Sequence, residues 1–428
     1  MASRAKTWAR KRGERLVYRV GGLPVAAAGL FFGGQADPAG FLRDAYANYY
    51  WSIDGFQDLI ELLTGSLIWP LGLLAAAIWF TWKNGAIIRE RTGKPALRQF
   101  VEELRTYFSA GLLPPWYYAF ELYEGRSGGR SFLSRFETKK GYYEILLRRR
   151  ESHSPLGNKL KFEQHCRAYQ IPTVPVLAAA IAGEVVSFEP EGLPRADLFV
   201  KPIRGRGGRG AERWDYGGSG RYRGPDSALL GDEELLDRLR AESKQVPRIV
   251  QPRLVNCDEL NDINNGALST VRIVTCLDES GRPEVVAAAA RMAIGDNHRV
   301  DNFHAGGIAS AIDLDTGVLG PASNMGMNAR LGWLDRHPDG GGEITGRELP
   351  MWEETRRLAE RAHRAFDDRV IVGWDIAVTP QGPTVVEGNS APDLDIIQRT
   401  RRSGLADSRF AELLAHHVRS GGAELNVA

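Results

Sequence analysis

Cysteine is scarce in this chain of 428 residues: Cys166, Cys257 and Cys276 are widely spaced, and none belongs to a CxxC pair. A disulfide framework is excluded, and a reducing, cytosol-facing compartment fits this usage best. An excess of either charge is also lacking, since Lys and Arg number 55 against 53 Asp and Glu, a net of +2. That balance excludes a general polyanion binder, whose affinity comes from many phosphate contacts, so nucleic acid is not an expected partner. No repeat of solenoid length recurs, no Walker A loop is present, and the Gly-rich stretch at 205–210 is not clearly followed by the helix that a dinucleotide-binding fingerprint requires. With 43% hydrophobic and 25% charged residues the composition is globular, and the length exceeds one ordinary domain.

Charge is missing locally as well. Residues 62–82 (LLTGSLIWPLGLLAAAIWFTW) run for 21 positions without a charged side chain. As a helix that stretch is about 32 Å long at ~1.5 Å per residue, enough to cross a bilayer, with Trp79 and Trp82 at one end where interfacial aromatics belong. A buried core helix is the alternative, kept open by Gly65, Pro70 and Gly72. An earlier run, residues 20–34, is shorter and Gly-rich and follows a basic segment, as in half of a membrane hairpin or a signal-peptide core. Residues 1–19 carry a net +6, residues 35–61 a net −4 and residues 83–98 a net +4. Basic, acidic, basic suits an in–out–in arrangement with everything C-terminal in the cytoplasm, at the inner membrane. Because the first run is too short to span comfortably, it is also read as dipping into the membrane or lying on its surface. Residues 1–94 are therefore expected as a membrane anchor, residues 95–150 as a helical connector, and residues 151–428 as the soluble domain.

Within that domain, VIVGWDIAVTPQGPTVVEGNSAPDLD (370–395) reads as a β-hairpin turning at TPQGP. Asp375 and Glu387 are symmetric about Gln381, which places them opposite each other on one face, with Asn389 beside them. Facing carboxylates repel unless a cation lies between them, and Asp, Glu and Asn oxygens form a hard donor set suited to Mg²⁺. Two solvated acids on an exposed face are the alternative. LFVKPIRGRGGRGAERW (198–214) is a strand ending in Lys201 and a loop in which Gly205, Gly207, Gly208 and Gly210 let backbone N–H groups approach a phosphate. Alone, it reads equally as a mobile hairpin tip. PRIVQPRLVN (247–256), containing Gln251 and Leu254, reads as a hinge whose backbone could meet an adenine edge. Asp258 and Glu259 beyond it are either ribose-binding or surface acids. Arg272 and Arg291 lie in β-type runs and each should meet a carboxylate or a phosphate. In DNFHAGG (301–307), Asn302, His304, Gly306 and Gly307 are substrate-side candidates, an ordinary exposed loop being the alternative.

Taken as an ordered series, Lys159, Lys201 with its Gly-rich loop, VQPRL, STVRIVT, DNFHAGG and Asp375…Glu387-Gly-Asn389 resemble the sugar-transfer-associated ATP-grasp family over roughly residues 95–428. The resemblance implies an α+β ATP-grasp fold, a smaller lobe at about 172–255 and a larger one at about 256–428 gripping ATP between them. It implies that Lys159 and Lys201 contact the nucleotide. It further implies that Asp375, Glu387 and Asn389 hold one or two Mg²⁺, Mn²⁺ being an acceptable substitute, and that Arg272 and Arg291 neutralise the transferred phosphoryl group. The expected activity is a ligase that activates a carboxylate as acyl phosphate for an amine or similar nucleophile, on an envelope polysaccharide or lipid-linked sugar. A phosphotransferase acting on a hydroxyl and a non-catalytic nucleotide-binding scaffold are the competing readings. Gln251 departs from the pattern, since many relatives carry an acid at the hinge.

Overall fold

The computed structural model describes residues 37–423 apart from 53–54, 126–128, 149–152, 189–191, 206, 297–302 and 304–305, together with Tyr18 and residues 21–23, 25–27, 29 and 34. Helix α1 (Pro38–Trp51) starts at Asp37, whose carboxylate accepts from the Gly40 amide at 2.8 Å. Helix α2 (Phe56–Thr92) runs for 37 residues through the charge-free stretch, and is long and apolar enough to cross a membrane. It stops at Gly93, held at φ +73° where a side chain would be strained, and Arg89 and Arg91 complement the dipole of its last turn. The chain reverses there into α3 (Ala96–Ala110) and a single turn, α4 (Pro114–Ala119).

Among the described residues thirteen strands then form two sheets, their neighbouring strands paired antiparallel. Strands β1 (Ala178–Ile181), β2 (Glu184–Ser187), β3 (Leu198–Pro202), β4 (Glu212–Gly218), β5 (Arg221–Arg223), β6 (Leu229–Gly231) and β7 (Arg248–Pro252) lie in the order β2-β1-β7-β3-β4-β5-β6. The second sheet has the order β11-β10-β9-β8-β12-β13, built from β8 (Thr270–Leu277), β9 (Pro283–Met292), β10 (Ile308–Ile312), β11 (Leu319–Ser323), β12 (Ile371–Thr379) and β13 (Gly382–Asn389). Between the sheets runs the extended segment 253–256, anchored where the Cys257 amide donates to the Val378 carbonyl at 2.9 Å.

Every residue of β8 and of β12 is buried, so these central strands are covered on both faces. Alternation sorts their side chains. Ile273 and Trp374 join the core beneath helix α7 (Trp352–Ala365), while Val274 and Cys276 join another with α8 (Asp395–Arg401) and α9 (Arg409–Ala423); helices α5 (Lys159–Ala168) and α6 (Asp232–Ser243) complete the series.

That second core also draws in residues from the N-terminal segments. Leu23, Val25 and Ala26, from the run read as one arm of a membrane hairpin, are buried together with Leu42, Val274 and Leu413. A Cβ on Gly21 would lie 2.4 Å from the Phe136 ring, so the helix seats against the body on the face its glycines leave bare. Leu133, Tyr142, Tyr143 and Leu146, from the presumed connector, belong to the same core. The apolar residues of both segments cover one face of the second sheet, which would otherwise meet water. Leu42→Ala should therefore lower the stability of the whole chain by ~2–5 kcal/mol, read as a shift in the urea midpoint. An unchanged midpoint would mean that the N-terminal helices fold apart from the sheet.

Candidate ATP and metal site

The hairpin of β12 and β13 places Asp375 opposite Glu387, as the sequence suggested, although by a different route. The turn centres on Pro380–Gln381, with Thr379 facing Gly382, so regular pairing would set Asp375 against Val386. A β-bulge between Asp375 and Ile376 restores the Asp375–Glu387 register. Asn389, two residues on, shares the face, and its amide nitrogen lies 3.4 Å from a Glu387 carboxylate oxygen.

Asp375 is buried, and both its oxygens are held by guanidinia. Arg272, directly across on β8, approaches through Nε at 2.5 Å and Nη2 at 3.2 Å, and Arg291 of β9 through Nη2 at 3.0 Å. Burial alone would raise this carboxyl; the two guanidinia outweigh it and hold the acid below its ordinary value. Arg291 is steadied in turn by the Thr270 hydroxyl, which accepts from its Nε at 3.1 Å. The expectation that each arginine meets a carboxylate or phosphate is met by one shared carboxylate.

Glu387 lies within reach of cations outside its own sheet. Lys159, at the start of α5, brings its ammonium to 3.9 Å from Glu387 and donates to the Gly205 carbonyl at 3.1 Å. Lys201 is buried on β3, and burial pushes its ammonium down to about 8, with Lys159 adding to the effect and Glu387 opposing it. The loop that follows turns through Gly207, Gly208 and Gly210 at φ +65°, +69° and +72°, which only glycine adopts without strain. Four cationic side chains thus meet two carboxylates between the sheets, an imbalance that suits a polyphosphate.

Other expected residues stand differently. The Gln251 amide donates to the Val174 carbonyl at 2.8 Å, so its side chain ties the hinge to the preceding loop. Leu254 is half-buried in the segment joining the sheets. Asp258 and Glu259 begin a 3₁₀ turn and are exposed, with Asp258 accepting from Asn261. Asn302 and His304 lie outside the described residues; Gly306 is exposed at φ +101° and Gly307 is buried. The sequence reading passed over a charged group beside the loop after Asn389. Asp393 pairs with Lys139 at 2.7 Å and Arg135 at 3.2 Å, next to Asp395, which burial and then Asp393 push up to about 8. The spacing of Arg135 and Lys139, four apart, was the signal available.

For a divalent cation, Glu387 and Asn389 offer oxygen donors at a partly exposed position. Asp375 fits only by releasing part of its hold on the arginines. Two sheets with a lysine from one and paired acids from the other, closing on a Gly-rich loop, define the ATP-grasp class of nucleotide-binding proteins.

Residues 138–410 match the sugar-transfer associated ATP-grasp family. This is well over half of the chain, which belongs to that family. Among solved structures, D-alanine–D-alanine ligase from Bacillus anthracis complexed with ATP is similar at 13% identity and TM-score 0.35, over 63% of this chain and 68% of that one. N5-carboxyaminoimidazole synthase from Aspergillus clavatus is similar at 13% identity and TM-score 0.33, over 62% and 52%. The biotin carboxylase domain of Hydrogenobacter thermophilus 2-oxoglutarate carboxylase, with MgADP and bicarbonate, is similar at 12% identity and TM-score 0.33, over 62% and 45%. The chain thus spans about half the length of the latter two. Among curated proteins none matches.

Two outcomes follow from the charges. Phosphates near Lys201 should raise its depressed ammonium again, so ATP binding at pH 8 should take up about half a proton. Calorimetry in buffers of different ionisation enthalpy measures this, and no uptake would place the phosphates elsewhere. Asp375→Ala should destabilise the chain by ~3–5 kcal/mol by removing the carboxylate that pairs the buried Arg272 and the partly buried Arg291, a loss that Glu387→Gln should not share in denaturant titrations. Equal stability of the two variants would contradict the ion-pair reading.

Proposed function

We propose that this protein is an Mg·ATP-dependent ligase that activates a carboxylate as acyl phosphate and transfers the acyl group to an amine or similar nucleophile. The observation that carries this reading is the convergence of Lys159 and Lys201 on Glu387, Asp375, Arg272 and Arg291 of the second sheet. Lys159, Lys201 and the amides of Gly205, Gly207 and Gly208 bind and neutralise the polyphosphate, and the hinge at Gln251 and Leu254 offers backbone to the base. Glu387 and Asn389, with Asp375, would hold one or two Mg²⁺ ions, or Mn²⁺ in their place, which when bound supply charge neutralisation at the β- and γ-phosphates.

A substrate carboxylate oxygen attacks the γ-phosphorus, and the bond to the bridging oxygen breaks with its electrons leaving on ADP. Arg272 and Arg291, fixed in direction by Asp375, stabilise charge on the group in transfer. The nucleophile then adds to the acyl carbon, the carbon–oxygen bond to phosphate breaks, and the amine proton passes to solvent. Positioning and electrostatics suffice for the first step, so no side-chain base is invoked. The substrate side is assigned to the segment containing Asn302, His304, Gly306 and Gly307. The helix long and apolar enough to cross a membrane supports an acceptor held at that surface, a lipid-linked sugar or envelope polysaccharide, with the catalytic body on the cytoplasmic face of the inner membrane where ATP is.

The full chain in detergent, given Mg·ATP, hydroxylamine and lipid-containing cell extract, should yield an acyl hydroxamate identifiable by mass spectrometry. Glu387→Gln should lower that yield by about a hundredfold or more without altering the melting temperature. A phosphorylated hydroxyl product in place of the hydroxamate would overturn the ligase reading in favour of a phosphotransferase.

A further inference from the structure

Much of the exposed surface of helix α2 is apolar, while five of its seven buried residues are small or polar, Leu73 and Ile88 being the exceptions. Phe56, Leu63, Leu67, Leu71, Ile78 and Trp82 are all exposed, Leu67 by 79%. Their spacings of seven, four, four, seven and four residues set them on one straight face along the helix. A different row faces the protein: Glu61, Gly65, Leu73, Ala77, Asn84 and Gly85 are buried. That contact continues along most of the helix. Leu62 and Trp69 pack on the core of the second sheet, and Trp69 stacks on Tyr107 of α3 at 5.3 Å. Further along, the Thr81 hydroxyl donates to Glu103 at 2.7 Å and the Asn84 amide to the Met327 carbonyl at 3.2 Å.

Helix α3 follows in part, burying Gln99 and Glu103 beside Tyr107 while exposing Leu97, Val101 and Phe108. Water would favour the opposite distribution. Small and polar groups at helix contacts with Leu and Trp outside are instead the pattern of surfaces solvated by lipid.

A perpendicular crossing conflicts with these contacts. With residues 62–82 in hydrocarbon, everything packed beside them would follow, including α3 with its exposed Arg105 and the edge of the catalytic core behind Leu62 and Trp69. A cation at the bilayer centre costs ~2.5–3.5 kcal/mol or more. A helix lying in the plane of the interface, its apolar face sunk ~5–10 Å, keeps every observed contact and leaves the body on one side. Charge favours a lipid occupant over a protein one: Lys83, Arg89 and Arg98 are exposed around the end of the stripe carrying Trp79 and Trp82, suiting anionic headgroups.

We infer that α2 and α3 form a monotopic docking surface for an anionic bilayer, with α2 in the membrane plane and not across it. The inference rests on the membrane association proposed above and adds its geometry.

The test uses full-length Ser52→Cys and Arg89→Cys variants, with cysteines at the two ends of α2, in sealed vesicles of both orientations from expressing cells. The native Cys166, Cys257 and Cys276 are buried, which keeps background labelling low. A membrane-impermeant maleimide should label both positions in inside-out vesicles and neither in right-side-out ones. Labelling of the two ends from opposite sides would overturn the in-plane geometry while leaving membrane association intact. Wild-type protein that fails to float with vesicles would overturn both. Leu67→Glu with Leu71→Glu should lower partition onto phosphatidylglycerol-containing vesicles by about tenfold or more at unchanged melting temperature. Unaltered partition of that variant would also overturn the docking surface.

Discussion

Two guanidinia closing on one buried carboxylate set the geometry on which the candidate site depends. Asp375, Arg272 and Arg291 come from three neighbouring strands, β12, β8 and β9, and their register brings the charges together. A one-residue slip of β12 would turn Asp375 to the opposite face, among Phe366 and its neighbours, and strand both arginines. Buried ion groups of this kind are weak sources of net stability, because desolvation offsets most of their attraction. Their value here is positional. They fix two cations beside Glu387 of the same sheet, which Lys159 of α5 and Lys201 of the first sheet approach, and they leave Glu387 the more accessible acid.

The hairpin was the most legible part of the chain, because two β-rich runs and a Pro-containing turn are local signals. Even so, pairing Asp375 with Glu387 by symmetry about Gln381 succeeded only because the bulge shifts a register that the turn alone would set one residue off. Lys201 and its glycine loop were legible for the same local reason. What was not legible is what long-range packing decides. The Gln251 amide finds Val174 through a contact that no spacing in the sequence announces. Nor could hydropathy tell which apolar segments meet protein and which do not. Leu23, Val25 and Ala26 disappear into the core of the second sheet, while the longer run at 62–82 keeps most of its surface exposed.

That contrast connects fold to function. The N-terminal helices cover one face of the catalytic sheet, so the surface presented by α2 is fixed relative to the nucleotide site and is not carried on a flexible tether. An enzyme arranged in this way would meet an acceptor embedded in the same membrane at constant height and orientation, part of the positioning on which acyl transfer depends.

The central claim is that a carboxylate becomes an acyl phosphate between Lys201 and the Asp375 arginines. The most direct measurement is turnover with the substrate carboxylate labelled with ¹⁸O, followed by mass analysis of the phosphate released. Activation by this route leaves one carboxylate oxygen on phosphorus, so the phosphate should carry one ¹⁸O per turnover. Phosphate released without label would mean that ATP is broken by water or by another acceptor, and would contradict the account.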